Sequence, residues 1–191
     1  MPEQTNTVTT AGKPRVRIAA LVLLAVVAVC AYVADQATKV LVVAELPEGT
    51  PVEIFGEVLR FTFVRNPGAA FSLGASTTWI FAVLAGAAAI FIIIFSRRIR
   101  SLPWAALFGL LLGGTLGNLT DRLFREPGFG RGHVIDFIQI YAFPAIFNVA
   151  DIAIVSSMGL FVILTLRGTR LDGTRAAKAD KSSDSAQPVE Q

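Results

Sequence analysis

Three observations predict an all-α polytopic membrane protein with four transmembrane helices. Of the 191 residues, 53% are hydrophobic and only 16% charged, a more apolar balance than a globular domain usually has. The apolar residues form four continuous runs instead of alternating with polar ones, at about 16–34, 79–95, 102–119 and 145–166. Each is close to the ~17–25 residues that cross ~30 Å of hydrocarbon. The bases gather at the run ends. Lys13, Arg15, Arg17, Arg97, Arg98, Arg100, Arg167, Arg170, Arg175, Lys178 and Lys181 would share one side, eleven of the 17 in the chain. The positive-inside rule then places both termini and the 97–101 loop in the cytoplasm. These bases read as topology signals, and nucleic acid is a poor explanation for them.

Residues 1–15 are polar and Thr-rich and predict a disordered cytoplasmic arm. The first helix, about 16–39, follows a basic flank as a signal peptide does. Its apolar stretch is longer than a usual h-region and ends in charged residues without a clear small-x-small cleavage site, so it reads as a retained signal anchor. Asp35-Gln36-Ala37-Thr38-Lys39 closes it, with Asp35 and Lys39 four apart on one face. An unpaired carboxylate directly after an apolar run would be costly, which favours a built site over a simple interfacial ion pair. Cys30, the one cysteine, lies mid-helix and forms no internal disulfide.

The 45–77 connection is the longer external loop. Pro47-Glu48-Gly49 signals a turn, and short Val/Ile/Phe-rich stretches around Gly56-Glu57 predict a small hairpin over 52–64. Asn66-Pro67-Gly68-Ala69-Ala70-Phe71-Ser72 allows tight turns and exposed backbone able to hold an extended peptide. The second helix, about 78–96, carries no charge within its apolar run and should only span and pack. In the third, about 102–122, Gly109, Gly113 and Gly117 recur every four residues with Gly114 beside them, a stripe for close helix approach. That stripe runs into Asn118, Asp121 and Arg122, three and four apart and so on one face.

The 123–144 connection is external and Gly/Pro-rich, and its 134–143 part is amphipathic and aromatic enough to lie along the interface. The fourth helix, about 145–167, opens with Asn148 and Asp151 three apart. Residues 168–191 are charged and Ser/Ala-rich and predict a disordered cytoplasmic tail.

Topology gathers the polar groups. Helices one and three run outward and helix four runs inward. Asp35/Lys39, Asn118/Asp121/Arg122 and Asn148/Asp151 therefore meet at the outer boundary, with Asp136 and the Asn66 loop. With His133 as the one histidine, a multi-histidine metal site and a Ser-His hydrolase are both poor fits. Two carboxylates in a partly dry site suit an aspartyl mechanism, one ionised and activating water, the other protonated and polarising a carbonyl. A proton-linked transporter also uses intramembrane carboxylates, but such sites sit near the midplane between internal repeats. No repeat is visible here, and the charges lie at one boundary. A purely structural membrane protein would leave the converging aspartates unexplained.

Five motifs in order resemble the lipoprotein signal peptidase family (signal peptidase II, aspartyl peptidase family A8). They are Asp35-Gln36-x-x-Lys39, Asn66-x-Gly68-Ala69-Ala70-Phe71, Gly113-Gly114-x-x-Gly117-Asn118-x-x-Asp121-Arg122, Val134-x-Asp136-Phe137 and Phe147-Asn148-x-Ala150-Asp151. Together they cover about 16–167, with Thr115 where the family would have Ala. The resemblance implies four helices, a β-cradle from the 45–77 connection and a short external helix between helices three and four. It implies Asp136 and Asp151 as the catalytic pair, with Asp35, Lys39, Asn66, Gly117, Asn118, Asp121, Arg122 and Asn148 binding substrate or supporting the site. The implied substrate is a prolipoprotein whose lipobox Cys carries diacylglyceryl, cut just before that Cys at the extracytoplasmic face of a bacterial cell membrane. No cofactor or metal is implied, and the cyclic peptide globomycin is the implied inhibitor.

Overall fold

A computed structural model describes residues 14–68 and 78–174. The elements run α1 (Pro14–Glu45), β1 (Pro51–Phe55), β2 (Leu59–Asn66), α2 (Thr78–Phe95), a 3-10 turn (Ser96–Arg98), α3 (Leu102–Phe124), β3 (Val134–Ile140), β4 (Ile146–Phe147) and α4 (Val149–Leu166). All four α-helices are long and apolar enough to cross a membrane. Half of the apolar stretch of α3 is buried inside the protein, against 22% for each of the others. α3 is therefore the hub on which α1, α2 and α4 pack, and the outer faces of those three are left for lipid.

The glycine stripe is what makes that hub possible. A Cβ at Gly113 would stand 2.5 Å from the Ala28 carbonyl oxygen, and one at Gly109 would stand 2.8 Å from that of Leu24. On the α4 side, a Cβ at Gly114 would stand 2.5 Å from the Ala150 carbonyl oxygen. Backbone-to-backbone approach of this kind replaces the hydrophobic driving force that lipid does not supply. Below the stripe, Leu24, Ala28, Ile92, Trp104, Leu107 and Leu164 share one buried apolar cluster.

Three elements differ from the expected layout. α1 does not close at Lys39 but continues to Glu45, because Val42 docks into a second apolar cluster with Phe63, Ile135 and Phe137. A short interfacial helix was expected between the third and fourth helices. The 134–140 segment is instead strand β3, antiparallel to β2 with Val64 opposite Asp136 and Asn66 opposite Val134. Its run of β-branched residues suits a strand, and the β1–β2 hairpin offers an edge whose backbone groups need partners. The sheet thus has four strands in the order β1-β2-β3-β4, drawn from both connections. Finally, α4 starts at Val149, four residues later than expected, because 146–147 pair as β4.

Ala69, Ala70, Phe71 and Ser72 of the Asn66 motif lie outside the described residues, as do the expected arm up to residue 13 and the expected tail from 175. Residues 168–174, assigned to that tail by composition, are packed: Leu171 rests against the lower cluster, and its carbonyl accepts from Arg100 N and Ser101 N at 3.0 Å each.

The packing predicts a sharp contrast between glycines. Gly114→Val should lower stability by about 1–3 kcal/mol or more through overpacking, whereas Gly86→Ala, with nothing within 4 Å of its Cβ position, should be neutral or stabilising by up to about 1 kcal/mol. Thermal unfolding of the two variants in detergent measures this. Equal melting temperatures would show that the close approach at Gly114 carries no weight.

Candidate active site

Between the two apolar clusters lies a polar layer. Asp35, Lys39, Asp121 and Asn148 are fully buried there, and Asp136 is 2% exposed. Lys39 Nζ lies 2.8 Å from Asp35 Oδ2 and 2.8 Å from Asp121 Oδ2. Asp121 Oδ1 takes a second cation, Arg125 Nε, at 2.6 Å. Two carboxylates and two bases thus balance in a place where a lone charge would be expensive. Gln36 Nε2 donates to Asp35 Oδ2 at 3.1 Å and to the Gly117 carbonyl at 3.1 Å. Gly117 is required by this geometry: a Cβ there would collide with the Asp35 carboxylate.

The charge cluster fixes both carboxamides above it. Lys39 Nζ donates to Asn118 Oδ1 at 3.0 Å, which turns the Asn118 amide nitrogen toward Asp151 Oδ1 at 2.8 Å. Asn118 Oδ1 also accepts from Asn148 Nδ2 at 3.1 Å. The same Asn148 nitrogen donates to Asp136 Oδ1 at 2.6 Å. Asp35 Oδ1 accepts from Ala150 N at 2.9 Å, so a carboxylate from α1 satisfies an orphan donor at the N-terminus of α4 and complements its dipole.

Asp151 itself is held by a capping box. Asn148 Oδ1 accepts from Asp151 N at 3.0 Å, and Asp151 Oδ2 accepts from Asn148 N at 3.2 Å. Such reciprocal bonds close a helix N-terminus, and here they place one carboxylate at a set height. The other carboxylate comes from the sheet. Asn66 Nδ2 donates to Asp136 Oδ2 at 2.7 Å, while Asn66 Oδ1 accepts from Gly68 N at 2.8 Å. Gly68 has φ +90°, a conformation that side-chain-bearing residues rarely adopt.

Asp136 and Asp151 line one cavity of about 400 Å³ with Asn66. Its remaining walls are Phe143, Ala145, Ile146, Phe147, Ile152 and Val155 with one hydroxyl, Ser156, so the two carboxyls face a mostly apolar hollow. Burial pushes the Asp136 carboxyl up to about 6. The Asn66 hydrogen bond opposes that rise, the Asp151 charge adds to it, and Asn148 and Lys39 pull the other way. Two carboxyls in one cavity suit a general base paired with a general acid.

Of the residues expected at the site, Asp35, Lys39, Asn66, Gly117, Asn118, Asp121, Asp136, Asn148 and Asp151 meet in this network. Arg122 does not join it by any hydrogen bond among the described residues. Its guanidinium lies over the Phe81 ring, 5.1 Å from the centroid, and beside Gly68. Sequence reasoning missed Arg125 and left Gln36 as a motif letter without a role. The i,i+4 spacing of Asp121 and Arg125 was the available signal for the first. Among the described residues no group of three or more His, Cys, Asp or Glu could hold a metal ion.

The chain matches the family model described as signal peptidase (SPase) II over residues 27–167. A lipoprotein signal peptidase of Leifsonia xyli is 58% identical over 93% of this chain and 82% of the relative. One of Streptomyces coelicolor is 51% identical over 91% of this chain and 79% of the relative. A bacterial membrane enzyme structure obtained by the in meso method at 1.9 Å resolution superposes with a TM-score of 0.68 at 29% identity, covering 76% of this chain and 94% of that one. A second, at 2.3 Å resolution, gives 0.67 at 28% identity over 81% and 94%.

Lys39→Met should cost about 3–5 kcal/mol, because it strands a buried Asp35 carboxylate. Adding Asp35→Asn should recover most of that loss, since Asp121 keeps Arg125. Unfolding of both variants in detergent checks the pair; a double variant no more stable than the single one would deny that the ion pair is the source.

Proposed function

The chain belongs to the signal peptidase II family, a family of multi-pass membrane peptidases of the aspartic type, and from that premise we propose that Asp136 and Asp151 are its catalytic pair. The observation that carries this is the shared cavity: two carboxyls from different elements, each accepting hydrogen bonds from carboxamides, facing an apolar hollow. The family's work is the removal of signal peptides from prolipoproteins. We read the cut as falling just before a lipobox Cys that already carries diacylglyceryl.

Chemically, the pair holds one proton at rest. Burial favours Asp136 as its carrier. Asp151, ionised, takes a proton from water as the oxygen attacks the scissile carbonyl carbon. Asp136, protonated, hydrogen-bonds the carbonyl oxygen and gives up its proton as that oxygen becomes a hydroxyl. The tetrahedral intermediate then collapses: the amine of the Cys side leaves with a proton returned by Asp151, one hydroxyl of the intermediate gives its proton back to Asp136, and the new carboxyl end remains on the signal peptide. No group outside the dyad and water needs to change its charge.

Ile152 and Val155 follow Asp151 along the cavity side of α4. That succession suits a substrate whose scissile bond sits at the boundary while its acyl chains lie along the helices. Arg122, poised beside Gly68, supports the site from the Asn66 turn, and Asp121 acts through Lys39. The same apolar cavity suits the cyclic peptide globomycin as a competitor. The bias of bases toward one end of the bundle supports a reading with both termini in the cytoplasm and the dyad at the extracytoplasmic face of the bacterial cell membrane.

Asp136→Asn and Asp151→Asn should each reduce cleavage of a diacylglyceryl-modified prolipoprotein by roughly 10³-fold or more while the protein still inserts and melts as a folded species. Mass spectrometry of the product reads both rate and cut position. Equal turnover by Asp151→Asn would remove Asp151 from the chemistry.

A pH profile gives a second check. With the Asp136 carboxyl held up at about 6, kcat/KM should fall on an alkaline limb as the shared proton is lost. Asn66 donates to the ionised form, so Asn66→Ala should move that limb to higher pH; movement to lower pH would contradict the assignment. The sign for stability is opposite to that of an ion-paired carboxylate. The unfolded chain releases this proton near pH 4 and the folded one near 6, so the group lowers stability as pH rises through that window and does so fully above it.

A further inference from the structure

At the end of the bundle opposite the dyad, two segments 70 residues apart by number, 97–100 and 167–170, bring five arginines together. Arg97, Arg98, Arg100 and Arg170 line one hollow of about 450 Å³, and Arg100 and Arg167 line an adjoining one of about 500 Å³. Electrostatics alone would splay these bases apart. The fold instead fastens the two segments to each other. Arg100 N and Ser101 N both donate to the Leu171 carbonyl at 3.0 Å, and Trp104 Nε1 donates to the Thr169 carbonyl at 3.0 Å. Ile99 is fully buried beneath them.

None of the five guanidiniums has an ion-pair partner among the described residues. One carboxylate, Asp172, lines both hollows: its Oδ1 accepts from Thr174 N at 2.9 Å and Thr174 Oγ1 at 2.7 Å, and it feels the charge of Arg170 without forming an ion-pair contact, so five bases face a single acid. A topology signal needs only bases near a helix end. It needs no concavity.

We propose that this basic hollow is a binding site for the phosphate headgroup of an anionic phospholipid. Phosphate is the chemistry that guanidinium forks match, and basic pockets between transmembrane helices are where such headgroups lodge. The choice of a lipid over free phosphate rests on what borders the bases. Leu102 lines the second hollow beside Arg100 and is 47% exposed, and Leu166, next to Arg167, is 83% exposed. Ile94 and Ile163, in the last turns of α2 and α4, are likewise exposed, at 67% and 46%. A headgroup in the hollow would leave its acyl chains against these side chains, where a free anion would gain nothing.

Native mass spectrometry of the purified full-length protein, titrated with phosphatidylglycerol or phosphatidylcholine, tests this. Phosphatidylglycerol should bind with defined stoichiometry and clear preference over phosphatidylcholine. Arg100→Gln with Arg170→Gln should weaken it roughly thirtyfold, at about fivefold per base. Arg60→Gln with Arg65→Gln, which removes the same charge from strand β2, should leave it within about twofold. Equal weakening by the two double variants would reduce the effect to net charge and overturn the site. Displacement of the lipid by inorganic phosphate at equal concentration would overturn the lipid assignment. The headgroup comparison on the unmodified protein needs no variant to fold, and an absence of preference there overturns the proposal directly.

Discussion

Everything above the midplane of this bundle depends on one lysine. Lys39 is fully buried, and its three short contacts reach Asp35 on its own helix and Asp121 and Asn118 on α3. A buried cation of this kind is weak as a source of net stability, since taking it out of water is costly. Its value is directional. Because Asn118 Oδ1 must face the ammonium, the Asn118 nitrogen must face Asp151, and the orientation of one carboxamide passes through Asn148 to Asp136. Neutral carboxamides suit this task, because each both accepts and donates and adds no charge beside the two cavity carboxyls.

The second constraint is the sheet. β3 and β4 come from the connection before α4, and β1 and β2 come from the connection before α2. Only their pairing sets Asp136 beside Asn66. A carboxylate on a free interfacial helix would be positioned by the membrane surface and could drift with it. On a strand backed by Ile135 and Phe137 in the upper cluster, it is positioned by backbone register. This is the sense in which a bundle with lipid on most sides acquires a rigid floor for chemistry.

Much of this was legible from residue order. The four helices followed from run length, and the meeting of Asp35, Lys39, Asn118, Asp121, Asn148 and Asp151 followed from helix direction with spacings of three and four. The Asn148–Asp151 spacing is also that of a capping box, whose reciprocal bonds periodicity alone does not demand. Strand β3 was misread because its apolar residues do not alternate: Val134 to Phe137 are all buried, one face against the upper cluster and the other against the site. Such a run matches a strand and an interfacial segment equally well. The docked 168–174 turn was hidden for a different reason. Its composition is polar, and what holds it is carbonyl acceptors and one leucine, which leave little trace in composition. Arg122 shares a helix face with Asn118 by number, yet a guanidinium can reach past a network to an aromatic ring, and spacing does not say which it will choose.

The bond from Ala150 to Asp35 spans 115 positions, and it has a meaning for synthesis. As the chain is made, α1 enters the bilayer with Asp35 and Lys39 one turn apart, a self-neutralising pair that lets a charged segment insert before any partner exists. Asp121 arrives only with the third helix, and the donors of Ala150 and Asn148 only with the fourth. Until the last helix is in place the Asn118 amide has no Asp151 to meet, Asn148 is absent, and the two cavity aspartates are not assembled. A membrane protein built in this order is inert while incomplete, and its earliest helix waits for its latest to become part of a site.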